Sequence, residues 1–165
     1  RIVFPLAAFL IAALIAPGSL ALVGMLMFGN LLKEIVQKSV EIGAETATAV
    51  RVETDIDDVH LYPDQAVPMS LLAAEAATNA MKYVDAREGT APWIRVTFKA
   101  CEDKTCVFRF ENSARVNDTA GSTGMGARLI NAFAIQLGAT IEVENSDDAY
   151  TLTVTFTAAD FSDEG

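Results

Sequence analysis

The sequence predicts a two-layer α/β sandwich preceded by an apolar helical segment. Three observations carry that reading. First, two stretches with helical spacing, one ending near Val84 and one ending at Leu137, are separated by paired alternating runs that read as β-hairpins. Second, the element order beyond residue 44 is β, α, β, β, α, β, β, which leaves a sheet covered by helices on one face. Third, charge is segregated: no charged residue lies from Ile2 to Leu32, and the remainder is an acidic sequence of ordinary composition. Of 165 residues, roughly 120 remain for the sandwich, enough for one core.

Taken in order, Ile2 to Phe28 is long enough to cross a bilayer, which takes about 20 residues. Pro17-Gly18 breaks the run. It reads as one kinked membrane helix, as two short apolar helices (Phe4 to Ala16 and Leu20 to Leu32), or as a core helix of a larger protein. Asn30 to Glu41 continues with helical spacing, with Leu32, Ile35, Val36 and Val40 on one face, and Gly43 is a plausible stop. Lys33 and Lys38 are the first cations after the apolar run and favour a cytoplasmic exit. The chain therefore divides into residues 1–43, membrane-associated and helical, and residues 44–165, the sandwich.

Within the sandwich, Ala49 to Thr54 alternates as a strand, and Asp55, Asp57 and Asp58 form an acidic turn. Val59 to Leu61 reads as a short strand. Asp64 is the expected N-cap of the long helix, with Pro68 in its first turn. Trp93 to Lys99 and Thr105 to Glu111 form the first hairpin, with Ile94, Val96, Phe98, Cys106, Phe108 and Phe110 inward. Asn112 to Thr123 is a polar loop. The second helix starts at Gly124 or Met125, turns Leu129, Ile130, Phe133 and Leu137 inward, and stops at Gly138. Ala139 to Glu144 and Tyr150 to Thr157 form the second hairpin, and an acidic tail follows.

Composition excludes some functions. A net charge of −10 offers no basic patch for nucleic acid. It is compatible with a nucleotide that arrives with Mg²⁺, because the metal offsets part of the like charge. Two cysteines and one histidine are too few for a zinc site, and Cys101 and Cys106 read as two thiols flanking a hairpin turn.

The chemistry concentrates in SLLAAEAATNAMKY, residues 70–83. Residues four apart stack on one face of a helix, so Glu75, Asn79 and Tyr83 form a row, with Lys82 beside it. A carboxylate, an amide and an ammonium among Leu, Ala and Met make an unusual stripe. A second feature is GSTGMG, with Gly121, Gly124 and Gly126 ahead of a helix. Closely spaced glycines let backbone approach a phosphate, and a helix N-terminus presents free N–H groups and partial positive charge.

Together these motifs resemble the GHKL ATPase superfamily, and within it the catalytic domains of bacterial sensor histidine kinases, over about Val52 to Ala158. LLAAEAATNAMKY is similar to the family's N box, and GMGARLINAFAIQLGATIEVEN to its second glycine box and the following strand, most like HWE-type kinases. The resemblance implies a Bergerat-type fold with a mixed sheet, ATP as ligand and Mg²⁺ held by Asn79. It implies that Glu75 orients water or metal or acts as general base, that Lys82 reaches phosphate, and that Gly124, Met125 and Gly126 line the phosphates, with Tyr83 completing the N box. The family's first glycine box, D-x-G-x-G, has Glu111-Asn112-Ser113-Ala114-Arg115 in its place, with no Asp and no Gly; Glu111 or Asn112 stands where the Asp recognises adenine. Residues 5–34, above all GMLMFGNLLKE, resemble a segment of the β subunit of sodium-translocating decarboxylases, which implies a membrane origin for that segment.

The function so implied is transfer of the ATP γ-phosphoryl group to a His on another domain, in two-component signalling. His60, the only histidine, precedes the long helix and reads as structural. Expected partners are nucleotide, a phosphoacceptor domain, a response regulator, a second copy of the chain and a membrane bound through residues 2–28. The expected location is the cytoplasmic membrane, with the C-terminal domain in the cytoplasm. The competing reading is a non-catalytic GHKL module that docks a response regulator or other regulatory partner.

Overall fold

A computed structural model of the chain describes residues 32–38, 50–57, 59, 61–85, 90–101, 103–114, 124–146 and 148–159. The apolar run from Ile2 to Phe28, His60 and the glycine-loop residues 115–123 lie outside them.

Five strands and two long helices follow in the order β1 (Arg51–Ile56), α1 (Pro63–Tyr83), β2 (Trp93–Ala100), β3 (Thr105–Ser113), α2 (Met125–Leu137), β4 (Thr140–Asn145) and β5 (Ala149–Thr157). The sheet order is β1-β2-β3-β5-β4. β1 runs parallel to β2 because α1 carries the chain back between them, and every other pair is antiparallel. The sheet is therefore mixed, as expected.

One face of the sheet is apolar. Register aligns Val96, Phe110 and Leu152 across three strands, and Phe98, Phe108 and Val154 in the next row, all buried. The Phe98 ring meets Phe108 edge-on at 6.5 Å and stacks on Phe156 at 6.3 Å. α1 covers this face with Met69, Leu72, Ala73, Ala76, Ala77 and Ala80, and α2 with Ile130, Ala134 and Leu137. Small residues on α1 let the two helices pack closely against each other. Leu32 and Val36, in the helical stretch 32–38, are fully buried in the same core cluster.

Several local expectations change. α1 begins at Pro63 with Tyr62 at the N-cap, so Asp64 lies inside the first turn, where its charge still favours the helix N-terminus. Proline at the first position suits a helix start because its missing N–H has no intrahelical partner there. Pro68 is the sixth helical residue, beyond the first turn, and is buried. Asp55 belongs to β1 instead of a turn. Val59 and Leu61 are buried anchors in a connection, not a strand. β3 runs two residues further than expected, to Ser113. In α2 the inward stripe is Ile130, Ala134 and Leu137, with Phe133 half-buried and Leu129 exposed, so the helix is rotated slightly from the expected face. Gly138 closes α2 at φ 64°, a left-handed conformation that glycine adopts without strain.

Candidate functional site

The site forms where the middle of α1 meets the first turn of α2. Gly126 is the second residue of α2 and heads its inward stripe, four residues before Ile130. A β-carbon placed on Gly126 would lie 2.5 Å from Glu75 Oε1, 2.6 Å from Asn79 Nδ2 and 2.9 Å from Asn79 Oδ1. Residues some fifty positions apart in sequence are thus pressed together. Only glycine leaves Glu75 and Asn79 where they are, because any side chain at 126 would occupy the space they fill and displace them.

Glu75 and Asn79 are both half-buried. Neither has a hydrogen-bond or ion-pair partner among the described residues. A carboxylate and an amide oxygen are hard donors of the kind that bind Mg²⁺. Gly124, the N-cap, is extended at φ −74° and ψ 173°, and no side chain caps the helix. Among the described residues no side chain caps the first N–H groups of α2, and its first turn carries no acidic residue of its own. Met125 is strongly exposed beside them.

The row continues along α1. At about 1.5 Å per residue, Tyr83 lies about 12 Å from Glu75 along the helix axis. Tyr83 is half-buried. Lys82 is exposed in the last turn, where an ammonium also complements the helix C-terminus, and among the described residues no ion pair joins it to Glu75. Just past the helix, the Asp85 N–H donates to the Ser113 carbonyl at 3.0 Å, which ties the end of α1 to the end of β3.

That junction separates the two residues of the altered first glycine box. Asn112 is 2% exposed and in phase with Phe108 and Phe110, so it faces the helices. Its Nδ2 donates to the Ser113 carbonyl at 3.1 Å. Glu111 lies on the opposite face of the sheet, ion-paired with Arg109 at 3.0 Å. The structure thus brings Glu75, Asn79 and Gly126 together, sets Asn112 at the far end of the same helix, and leaves Glu111 and Lys82 apart from both.

Two residues not singled out in the sequence join the Asn112 end. Ser113, buried, accepts a hydrogen bond from the Trp93 N–H at 3.0 Å and positions the strand end. Tyr150 is the register partner of Asn112, and burial pushes its phenol pKa up, so it stays a donor. The alternation of β3 does not mark Ser113, which is in phase with Glu111, whereas Tyr150 heads the apolar alternation of β5 that continues through Leu152, Val154 and Phe156.

A family model for the Na⁺-transporting oxaloacetate decarboxylase beta subunit matches residues 1–52. No curated protein matches the chain. Among solved structures, the histidine kinase domain of the blue-light activated histidine kinase EL346 from Erythrobacter litoralis is similar with a TM-score of 0.70 and 18% identity, over 79% of this chain and 61% of that one. Acinetobacter baumannii histidine kinase AdeS gives a TM-score of 0.63 and 18% identity, over 78% of this chain and 64% of its own. Full-length ShkA in complex with AMPPNP gives 0.61 and 12%, over 79% of this chain and 30% of its own. The chain thus spans less than two thirds of the length of each of these three. The mixed five-stranded sheet with its helical layer is thus similar in fold to these histidine kinase structures.

Proposed function

We propose that this chain is the ATP-binding catalytic domain of a sensor histidine kinase, acting on a His supplied by another domain. The observation that carries the reading is the packing of Gly126 against Glu75 and Asn79, which brings the two motifs into contact. Fold similarity to histidine kinase domains, one of them solved with AMPPNP, supports the nucleotide as ligand.

In this reading the phosphates lie along the α2 N-terminus, held by its free N–H groups. Asn79 and Glu75 would hold Mg²⁺, which favours one or two protein oxygens together with substrate phosphates. When bound, the metal supplies neutralisation of phosphate charge. Among the described residues no group of three His, Cys, Asp or Glu gathers to hold an ion, and in this reading nucleotide phosphates and water complete the ligand set. Asn112 takes the base end: with Nδ2 engaged by Ser113, its Oδ1 is an acceptor suited to an exocyclic amine such as that of adenine. Phosphoryl transfer asks mainly for such positioning and charge neutralisation. The HWE-type affinity, a homodimer, a response-regulator partner and attachment to the cytoplasmic membrane through residues 2–28 belong to the same proposal. Among the described residues no helix is long and apolar enough to cross a membrane.

Titration of the protein with Mg²⁺-ATP by calorimetry tests it. We expect weak binding that Asn79→Ala abolishes. Absence of heat at millimolar nucleotide would favour the second reading, a non-catalytic module that docks a regulatory partner. That reading rests on the missing Asp and glycines at Glu111 to Arg115.

A further inference from the structure

We propose that the outer surface of the helical layer rests on a lipid bilayer through Val67, Leu71 and Ile135; the inference rests on membrane attachment through residues 2–28, part of the reading above. Val67 is 57% exposed, Leu71 47% and Ile135 80%. Val67 and Leu71 are four residues apart on α1, on the side away from its buried Met69, Ala73, Ala76 and Ala80. Ile135 stands opposite the buried stripe of Ile130 and Leu137 on α2. The start of α1 and the end of α2 lie at the same end of the sheet. Gln65, in the first turn of α1, donates to the Thr157 carbonyl at the end of β5, and β4, which follows α2 after two residues, starts opposite Thr155. The helices touch where Gly126 meets Glu75 and Asn79, so they run antiparallel, and the three apolar groups point the same way, out from the sheet.

What this surface meets follows from the length of the chain. Leu32 and Val36 are fully buried in the core cluster, which lies between the sheet and its helices, so the stretch 32–38 sits on the helical side. The apolar run ends at Phe28, four residues before Leu32, and four residues span at most about 14 Å. A bilayer that holds the run therefore lies within that reach of the helical side, with the open face of the sheet a full layer further away. Charge favours the same orientation. α2 carries no acidic residue, and those of α1 are Asp64 in its first turn and Glu75 beside Gly126. Glu53, Asp55 and Glu111 are on the open face, where lipid contact would strip water from carboxylates. Exposed apolar side chains on helices poor in acidic groups suit the boundary between headgroups and acyl chains.

The test reconstitutes the full chain in phosphatidylcholine vesicles, plain or brominated on the acyl chains, and reads tryptophan emission. Trp93, the single tryptophan, lies beside Arg95 on the open face and reports that side. Ile135→Trp in a Trp93→Phe background moves the reporter to the helical surface, at a position too exposed to disturb the core. Its emission should shift to the blue and fall at least about twofold in brominated lipid, whereas Trp93 of the wild type should be quenched little. Adding Val67→Glu and Leu71→Glu should abolish the quenching, with circular dichroism to show that each variant is folded. High salt should leave it unchanged, because the contact is apolar. A reporter at 135 quenched no more than Trp93, in a chain that floats with the vesicles, would overturn the docking and leave membrane attachment intact. A wild type that does not float with the vesicles would overturn both.

Discussion

Gly126 concentrates the consequences of this architecture in one hydrogen atom. Alanine is the better helix former by up to about 1 kcal/mol, so propensity alone favours Gly126→Ala. Its methyl group, however, would fall 2.5 Å from Glu75 Oε1 and 2.6 Å from Asn79 Nδ2. Both atoms end flexible side chains, so those side chains swing away while the helices stay in place. We expect a melting temperature equal to or slightly above the wild type, with affinity for Mg²⁺-ATP reduced by about tenfold or more. A melt and a calorimetric titration on the same preparation check this; a variant that binds like the wild type would show that Glu75 and Asn79 can reach the ligand from elsewhere. Glu75, Asn79 and Gly126 could each be singled out in the sequence as candidates, since each motif is carried by a strongly periodic helix. Their contact could not, because it is set by how α1 and α2 pack on the sheet. The choice between Glu111 and Asn112 was likewise open: two adjacent polar residues show no hydrophobic alternation, and only pairing with Arg95 and Ile94 assigns each to a face.

At the scale of elements, the long periodic segments were legible nearly to the residue, and the errors gathered at their ends. α2 runs from Met125 to Leu137 as read, because glycines bound it on both sides. α1 starts earlier than its expected cap, since two prolines and an Asp close together allow several starts. There Gln65 clamps the helix to the end of β5, donating to the Thr157 carbonyl at 2.8 Å and accepting from the Ala159 N–H at 2.9 Å. No local pattern announces that contact. The first hairpin offers an element-scale test. Lys104 closes its turn at φ 64°, a conformation that strains an L-residue and that glycine accepts. The turn is otherwise well tied: the Lys104 N–H donates to Cys101, and its carbonyl accepts from the Ala158 N–H. Lys104→Gly removes the strain but frees more of the unfolded chain, for a net gain of about 0.5–1 kcal/mol. A rise of a few degrees in melting temperature is expected, and a fall would mean that the Lys104 side chain contributes more than its backbone strain costs. Cys106, in β3 beside this turn, is buried, and burial pushes its thiol pKa up, whereas Cys101 is exposed. Both are free thiols, in line with the reading of two thiols flanking a hairpin turn.

Across the whole molecule, the sheet is held unevenly. β2, β3 and β5 form its centre and share a continuous apolar face, while β1 is a six-residue edge strand with only Val52 and Ile56 half-buried among its apolar groups. Beyond its main-chain ladder to β2, its side-chain ties are largely ionic. On the open face Glu53 pairs with Arg95 at 2.9 Å, and Lys99 reaches Asp55 at 2.6 Å and Asp57 at 2.7 Å, each bond crossing from β2 to β1 or the residue after it. The parallel placement of β1 was not legible from its own residues; the family resemblance implied a mixed sheet without naming this edge. Hydrogen bonding to Lys99 holds the Asp57 carboxyl below its ordinary 3.8, and bonding to Asp55 and Asp57 raises Lys99 above its ordinary 10.5. The signs are opposite and so are the pH limits. A depressed carboxylate contributes stability above about 3.8, lost as pH falls through its folded value; a raised lysine contributes below about 10.5, lost as pH rises through its own. The clasp is therefore complete across the neutral range and opens at both extremes. Lys99→Met keeps the aliphatic stem and removes the charge. It should lower the melting temperature at pH 7, by less at 1 M salt because these groups are exposed to screening. The difference from wild type should shrink as pH falls through the folded pKa of Asp57, where its carboxyl is protonated and no longer holds Lys99 as an anion. Melts of the two proteins from pH 2 to pH 7 decide it: a difference that persists unchanged into acid would show that Lys99 stabilises β1 through packing of its stem, and that charge plays no part in holding the edge.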